Sequence, residues 1–173
     1  MIKLNNFGFM KTLYIVRHAK AIIDFFEFAD VDRPIITEGI INTNKICVEL
    51  IKKNVTVGLM ISSHAKRAFD TAKIIADEIK YPITKIEINQ NIYQSLVENI
   101  LDIISEVDNN YESLMIIGHN PTFTHLANLF LEKKIENLPT SAIVSISFNT
   151  KEWDSIDKAT HKTNFILTKK MLN

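Results

Sequence analysis

The chain has 173 residues, a length that suits one domain with its own hydrophobic core. Its 20 basic and 20 acidic side chains cancel, which argues against the polybasic surface that nucleic-acid-binding proteins use. The single cysteine, Cys47, excludes an internal disulfide and favours a reducing, cytoplasmic location.

The N-terminal segment lacks the continuous apolar core of a signal peptide, because Asn5, Asn6, Gly8 and Lys11 interrupt it. It is also too short and polar to span a membrane. We therefore expect residues 1–9 to form a tail and residues 10–173 to form a single domain, with neither membrane nor nucleic acid as a partner.

Short apolar runs alternate with amphipathic helical patterns along the chain. The predicted strands cover residues 13–16, 57–61, 86–88, 114–117, 142–148 and 165–167. Helical periods lie between them, over residues 40–51, 65–79, 97–107 and 123–130. Continuous apolar runs are typical of strands covered on both faces, and strands that alternate with helices predict an α/β domain with a mainly parallel sheet.

The ends and faces of two helices can also be predicted. The first helix should begin after Thr37 as its N-cap, and the fourth should have Asn120 as N-cap and Pro121 as its first helical residue. The apolar residues expected on one face of the first helix are Ile40, Ile41, Cys47, Leu50 and Ile51.

Three predicted strands run directly into polar residues that can bind an anion. Arg17 and His18 follow the first strand, and His119 follows the strand at 114–117. Ser63 follows the strand at 57–61, and Arg67 lies on the first turn of the next helix. Ligands of open α/β sheets bind beyond the carboxyl ends of the strands, so these side chains are expected to converge.

A phosphoryl group fits this combination of side chains. The planar guanidinium groups of Arg17 and Arg67 can each donate to two phosphate oxygens. A neutral His18 can attack phosphorus and form a phosphohistidine intermediate that water later hydrolyses. His119 can bind the transferred group as a donor. The sequence contains neither a carboxylate cage for Mg²⁺ nor a Cys/His cluster with zinc spacing, so we expect no metal and no cofactor.

Five stretches of the sequence resemble the histidine phosphatase superfamily, and in particular its small SixA-type branch of phosphohistidine phosphatases. They occur in the order found in that family and together span residues 13–148. The stretches are LYIVRHAKA (13–21), DRPIITEGI (32–40), SSHAKRAFDTA (62–72), IIGHNPTF (116–123) and PTSAIVSISF (139–148).

The resemblance implies a fold and a set of roles. The fold is a three-layer α/β sandwich of the phosphoglycerate mutase-like type, in a small version without a lid domain. His18 is implied as the nucleophile, with Arg17, Arg67 and His119 as the other catalytic residues. The resemblance also suggests Arg33 as a substrate-binding residue. We add Ser63 and Asn120 to the substrate-binding set, because both lie where predicted helices begin.

The chain departs from the family pattern in two places. Ala19 replaces the glycine that commonly follows the nucleophilic histidine. Larger members place an acid beside the leaving group, whereas the matching segment here, residues 89–99, offers only Glu98. A phosphate ester benefits greatly from such an acid, while the phosphorus–nitrogen bond of phosphohistidine is more labile.

The leading hypothesis is therefore hydrolysis of phosphohistidine on a partner protein, such as a phosphotransfer domain. The alternative is a phosphatase of small-molecule phosphomonoesters. A non-enzymatic phosphate-binding module is disfavoured because His18 is present. The sequence leaves open the oligomeric state, the general acid and the ring nitrogen of His18 that attacks phosphorus.

Overall fold

A computed structural model of the chain describes residues 11–23 and 26–171. The predicted tail, residues 1–9, lies outside the described residues. The strands are β1 (Lys11–Arg17), β2 (Leu59–Ser63), β3 (Glu87–Asn89), β4 (Ser113–Gly118), β5 (Ile143–Phe148) and β6 (His161–Leu167). The α-helices are α1 (Thr37–Lys52), α2 (Lys66–Glu78), α3 (Val97–Ser105) and α4 (Thr122–Phe130).

The six strands form one sheet in the order β3-β2-β4-β1-β5-β6. Strands β3, β2, β4 and β1 pair in parallel, whereas β5 and β6 are antiparallel to their neighbours. This arrangement confirms the prediction of a mainly parallel sheet. It also places β1, β2 and β4, which carry the predicted catalytic residues at their carboxyl ends, side by side.

Hydrophobic cores lie on both faces of the sheet. Leu13 and Ile15 of β1 belong to a buried cluster that also contains residues of α3 and α4. Tyr14 and Val16 point the other way and belong to a cluster with residues of α1 and α2. Alternate residues of a strand face opposite sides, so one apolar strand contributes to both cores. The result is the expected three-layer α/β fold with helices on both faces.

The predicted buried face of α1 is partly wrong. Ile40, Ile41 and Ile51 are 39%, 50% and 48% exposed. The buried residues of this helix are Gly39, Thr43, Ile46, Cys47 and Leu50. The helix is rotated toward Gly39 because this residue packs directly against the backbone of Lys20, where no side chain would fit.

Both predicted helix caps are also displaced by one residue. Ile36 is the N-cap of α1, and Thr37 is already helical. Pro121 is the N-cap of α4, after a cis peptide bond with Asn120, and the helix begins at Thr122. Asn120 lies one residue before this cap, and its amide nitrogen donates to the carbonyl of Leu138.

Within the described part of the chain, no helix combines the length and apolarity needed to cross a membrane.

Candidate active site

The register of the central strands brings two histidines together. Arg17, the last residue of β1, pairs with Gly118, the last residue of β4, so that His18 and His119 leave the sheet at the same level. The backbone N–H of His18 donates to the carbonyl of Gly118 at 3.0 Å. The two imidazole rings lie 5.0 Å apart, centroid to centroid. The predicted convergence of these residues is therefore present in the structure.

The two nitrogens of His18 have different partners. Nδ1 lies 2.7 Å from the backbone carbonyl of Ala19, an acceptor, so the proton of a neutral ring is on Nδ1. Nε2 lies 3.3 Å from Nε of Arg67, which donates to it. Burial lowers the pKa of His18 to about 3, and the positive charges of neighbouring arginines add to this effect. The ring is therefore neutral at physiological pH, with its lone pair on Nε2.

His119 is buried, and one of its nitrogens has no protein partner. Its Nε2 lies 2.8 Å from the hydroxyl oxygen of Ser63, while Nδ1 has no partner. The same Ser63 oxygen accepts the backbone N–H of Ala65 at 3.3 Å. Burial also lowers the pKa of His119 to about 3, with the neighbouring His18 as a further cause. Ser63, the last residue of β2, thus positions the ring of His119 through this contact.

Arg17 and Asn120 are held by one loop. Arg17 donates to the carbonyl of Leu138 at 2.7 Å, and Asn120 donates to the same carbonyl at 3.0 Å. Both side chains also donate to the amide oxygen of Asn137. Nε of Arg17 and the amide oxygen of Asn120 are buried without a protein partner. This loop therefore fixes the orientation of both side chains.

Arg67 is almost fully buried, at 4% exposure. Its terminal nitrogens, which point away from His18, bind Asp30, a residue that the sequence did not indicate. They donate to the backbone carbonyl of Asp30 and, at 3.0 Å, to the Asp30 carboxylate. Asp30 lies in a short 3₁₀ helix, Asp30–Asp32, between β1 and α1. The predicted substrate-binding residue Arg33 forms an ion pair with the same carboxylate at 2.7 Å.

Tyr93 is the second site residue that the sequence did not indicate. Its hydroxyl donates to the Asp30 carboxylate. Its ring meets those of His119 and His64 edge-on, at centroid distances of 5.5 and 5.2 Å. The guanidinium of Arg67 lies 5.9 Å from the centre of the same ring. Tyr93 therefore packs against three of the polar groups that surround the site.

A cavity of about 490 Å³ opens beside these groups. Of the predicted residues, Arg33, Arg67, His119 and Asn120 line it directly. The remaining lining residues are Asp30, Ile92, Tyr93, Gln94, Ser95, Leu96, Val97, Pro121, Thr122 and His125. Glu98, the acid that the sequence offered, is exposed and is not part of this lining.

The acid that does line the cavity is ionised. Hydrogen bonds from Tyr93 and Arg67, together with the charges of Arg67 and Arg33, outweigh the effect of burial and lower the pKa of Asp30 to about 2. A carboxylic acid with this pKa holds no proton to donate near neutral pH. Among the residues that the structure describes, no group of three or more His, Cys, Asp or Glu side chains could hold a metal ion.

Neither the family models nor the curated proteins that were compared with this sequence match it. Solved structures match over nearly the whole chain. The protein histidine phosphatase SixA in complex with tungstate has a TM-score of 0.79 at 21% identity, covering 94% of this chain and 99% of that one. A SixA structure from Agrobacterium tumefaciens has a TM-score of 0.76 at 21% identity, covering 91% and 98%.

A phosphoglycerate mutase from Bacillus anthracis is more distant, with a TM-score of 0.66 at 14% identity, covering 95% of this chain and 96% of that one. All these matches cover more than nine-tenths of the chain. The part of the chain that the structure describes therefore has the α/β fold of SixA and of phosphoglycerate mutase, and it contains no separate lid domain.

Proposed function

We propose that this protein is a phosphatase of the SixA type, which hydrolyses phosphohistidine on a partner protein through a phosphorylated intermediate on His18. The observation that carries the proposal is the bonding of the His18 ring. Its Nδ1 is bound to the carbonyl of Ala19, and its Nε2 carries the lone pair and accepts a hydrogen bond from Nε of Arg67. This arrangement supports Nε2 as the attacking nitrogen.

In the first step, Nε2 of His18 attacks phosphorus, and the bond between phosphorus and the leaving group breaks. His18 becomes a phosphohistidine whose Nδ1 keeps its proton, so the ring carries a positive charge. The carbonyl of Ala19, 2.7 Å from Nδ1, stabilises that charge. The nucleophile therefore needs no separate base.

Three further groups stabilise the charge on the phosphoryl oxygens. Two of them are Arg67, which donates to His18, and Arg17, the residue before His18; both supply guanidinium donors. Ser63 can donate its hydroxyl proton to Nε2 of His119, which places the ring proton of His119 on the unpartnered Nδ1. That N–H can then donate to the transferred group. Donors fixed before the reaction lose little free energy in reorganising when the charge develops.

In the second step, water attacks the phosphorus of phosphohistidine 18. The phosphorus–nitrogen bond breaks, its electron pair returns to Nε2, and His18 is again neutral with its proton on Nδ1. The two protons of the water molecule leave on inorganic phosphate. No metal takes part in either step, and we propose that the enzyme is metal-independent.

A phosphohistidine substrate is favoured by the protonation state of Asp30. An ester leaves as an alkoxide and needs a proton, which an ionised Asp30 does not carry. The likeness to SixA, described as a protein histidine phosphatase, supports the same substrate. A small phosphomonoester is the second candidate, because a cavity of about 490 Å³ lies within the size range of small-molecule sites.

A comparison of substrates tests the proposal. The purified protein is given a phosphohistidine-bearing phosphotransfer domain and a panel of sugar phosphates and nucleotides, with and without EDTA. We expect a higher kcat/KM for the phosphohistidine protein, no effect of EDTA, and no turnover by His18→Asn. Faster hydrolysis of the esters would favour the second candidate, and inhibition by EDTA would contradict the metal-free mechanism.

The remaining aspects of the proposal concern the setting of the enzyme. We propose that residues 10–173 act as one catalytic domain and that the protein works in the cytoplasm, where the free, buried Cys47 remains reduced.

A further inference from the structure

Asp30 places a negative charge in a cavity otherwise suited to a phosphate group. Its side chain is 37% exposed and lines the same cavity as Arg67 and His119. One carboxylate oxygen is bound by Arg67 and Tyr93, and the other by Arg33. An ionised carboxylate offers about four lone-pair positions, two on each oxygen, so the oxygen bound by Arg33 has room for one further hydrogen bond.

A fixed carboxylate beside a phosphate site is unfavourable for most substrates. It repels a dianionic ester, and it neutralises part of the charge of Arg67 that would otherwise bind the phosphoryl group. The cost is offset only if the substrate itself presents a proton donor or a positive charge on that side. The position of Asp30 therefore indicates a leaving group that carries a proton donor or a positive charge.

We propose that Asp30 selects the substrate by accepting a hydrogen bond from the ring N–H of a phosphorylated imidazole. The inference rests on the proposed phosphatase function and specifies its substrate class as N-phosphorylated imidazole. Asp30 lies across Arg67 from His18, since Arg67 donates through Nε to His18 and through its terminal nitrogens to Asp30. A phosphoryl group held by Arg67 would thus have His18 and Asp30 near its two ends.

The transfer between two imidazoles then balances without any proton transfer. The substrate ring carries phosphorus on one nitrogen and a proton on the other, and Asp30 accepts a hydrogen bond from that N–H. When the bond from phosphorus to the substrate ring breaks, its electron pair goes to the freed nitrogen, and the ring leaves neutral with its proton in place. His18 gains the phosphoryl group while keeping its own proton on Nδ1, bound to Ala19.

Each ring therefore has an acceptor for its N–H: the Ala19 carbonyl for the nucleophile and the Asp30 carboxylate for the leaving group. An alcohol leaving group has no such N–H. It would meet the negative charge of Asp30 while requiring a proton that Asp30 does not hold. The same residue thus favours one substrate class and disfavours the other.

The variant Asp30→Asn tests this role with two small probes, phosphoimidazole and 4-nitrophenyl phosphate. We expect kcat/KM for phosphoimidazole to fall roughly 10- to 100-fold, the effect of losing a hydrogen bond to a charged group. We expect hydrolysis of 4-nitrophenyl phosphate to rise, because the repulsion between Asp30 and the ester is removed. The matched control is Asp32→Asn, which lies in the same 3₁₀ helix, is exposed and does not line the cavity.

The ratio of the two activities separates selection from a structural role. If Asp30 only orients Arg67, both activities fall together in Asp30→Asn, and the inference is wrong.

If the variant does not fold, Tyr93→Phe removes one donor to Asp30 and provides the second test. It should then increase the preference for phosphoimidazole, because the carboxylate is freer to bind the leaving group; an unchanged or reduced preference would overturn the inference. If the wild-type protein hydrolyses neither probe and His18 is never phosphorylated, the proposed function itself fails.

Discussion

At the scale of single residues, the site depends on how one imidazole ring is oriented. The bond from Nδ1 of His18 to the Ala19 carbonyl fixes both the tautomer and the direction of Nε2. The backbone N–H of Ala19 is itself held by the hydroxyl of Thr71 at 2.8 Å, and Thr71 donates to the carbonyl of Arg67. The nucleophile and the phosphate-binding arginine are thus connected through one side chain, which keeps their relative position constant.

Arg67→Lys keeps the positive charge but loses the planar fork that binds His18 and Asp30 together. We expect kcat to fall about 100-fold, in the range found when one donor to a transition-state oxygen is removed. Steady-state kinetics with phosphoimidazole measures this effect. Lys66→Ala is the control, because Lys66 is an exposed neighbour on the same helix and should leave kcat unchanged. A near-normal rate for Arg67→Lys would contradict the role assigned to the guanidinium group.

The strand-end residues of the site could be predicted from apolar runs in the sequence, whereas two loop residues, Asp30 and Tyr93, could not. Arg17, His18 and His119 follow apolar runs, so parallel pairing alone predicts that they meet. Asp30 and Tyr93 belong to irregular segments without periodicity, and they are 63 positions apart in the chain. Only the folded structure shows that the loops carrying these two residues close over the same cavity.

At the scale of secondary-structure elements, the position of α1 determines the path of the loop that follows β1. Gly39 faces the backbone of Lys20, two residues after the nucleophile, and a Cβ at this position would lie 2.4 Å from the Lys20 carbonyl oxygen. The apolar pattern of α1 did not reveal this contact, because glycine has no side chain and contributes nothing to a hydrophobic period. The exposed Ile40 and Ile41 instead suggested the wrong face.

Gly39→Ala is therefore expected to move the Lys20 backbone and with it the Ala19 carbonyl that binds His18. We expect a loss of stability of about 1–3 kcal/mol, typical of overpacking, together with reduced kcat. Urea denaturation and steady-state kinetics measure the two effects. Asn44→Ala, at an exposed position of the same helix, is the control and should change neither quantity appreciably. Full activity in Gly39→Ala would show that the loop does not depend on this contact.

At the scale of the whole molecule, the site makes folding depend on pH. The pKa values of His18 and His119 are both lowered to about 3 in the folded state, whereas an unfolded histidine has a pKa of about 6.5. As pH falls below about 6.5, the unfolded chain binds protons that the folded chain does not, so the free energy of unfolding decreases. Above that pH both histidines are neutral in the folded and in the unfolded chain. They then cause no further change in the free energy of unfolding with pH.

This dependence can be measured by urea denaturation between pH 7 and about 5, above the range in which Asp30 titrates in the folded or the unfolded chain. We expect the wild-type protein to lose stability steadily on acidification. His18→Asn should show a shallower slope, by about one bound proton, because one of the two buried imidazoles is gone. Equal slopes for the two proteins would mean that His18 titrates normally in the folded state, contrary to its burial.

The most direct test of the whole account is the identification of the phosphorylated atom. Protein labelled with ¹⁵N-histidine is treated with a phosphoryl donor, quenched in base, and examined by mass spectrometry and by phosphorus–nitrogen coupling in NMR spectra. The account predicts an acid-labile, base-stable phosphoryl group on Nε2 of His18, absent in His18→Asn. A phosphoryl group on Nδ1, on another residue, or on none while phosphate is still released would contradict it.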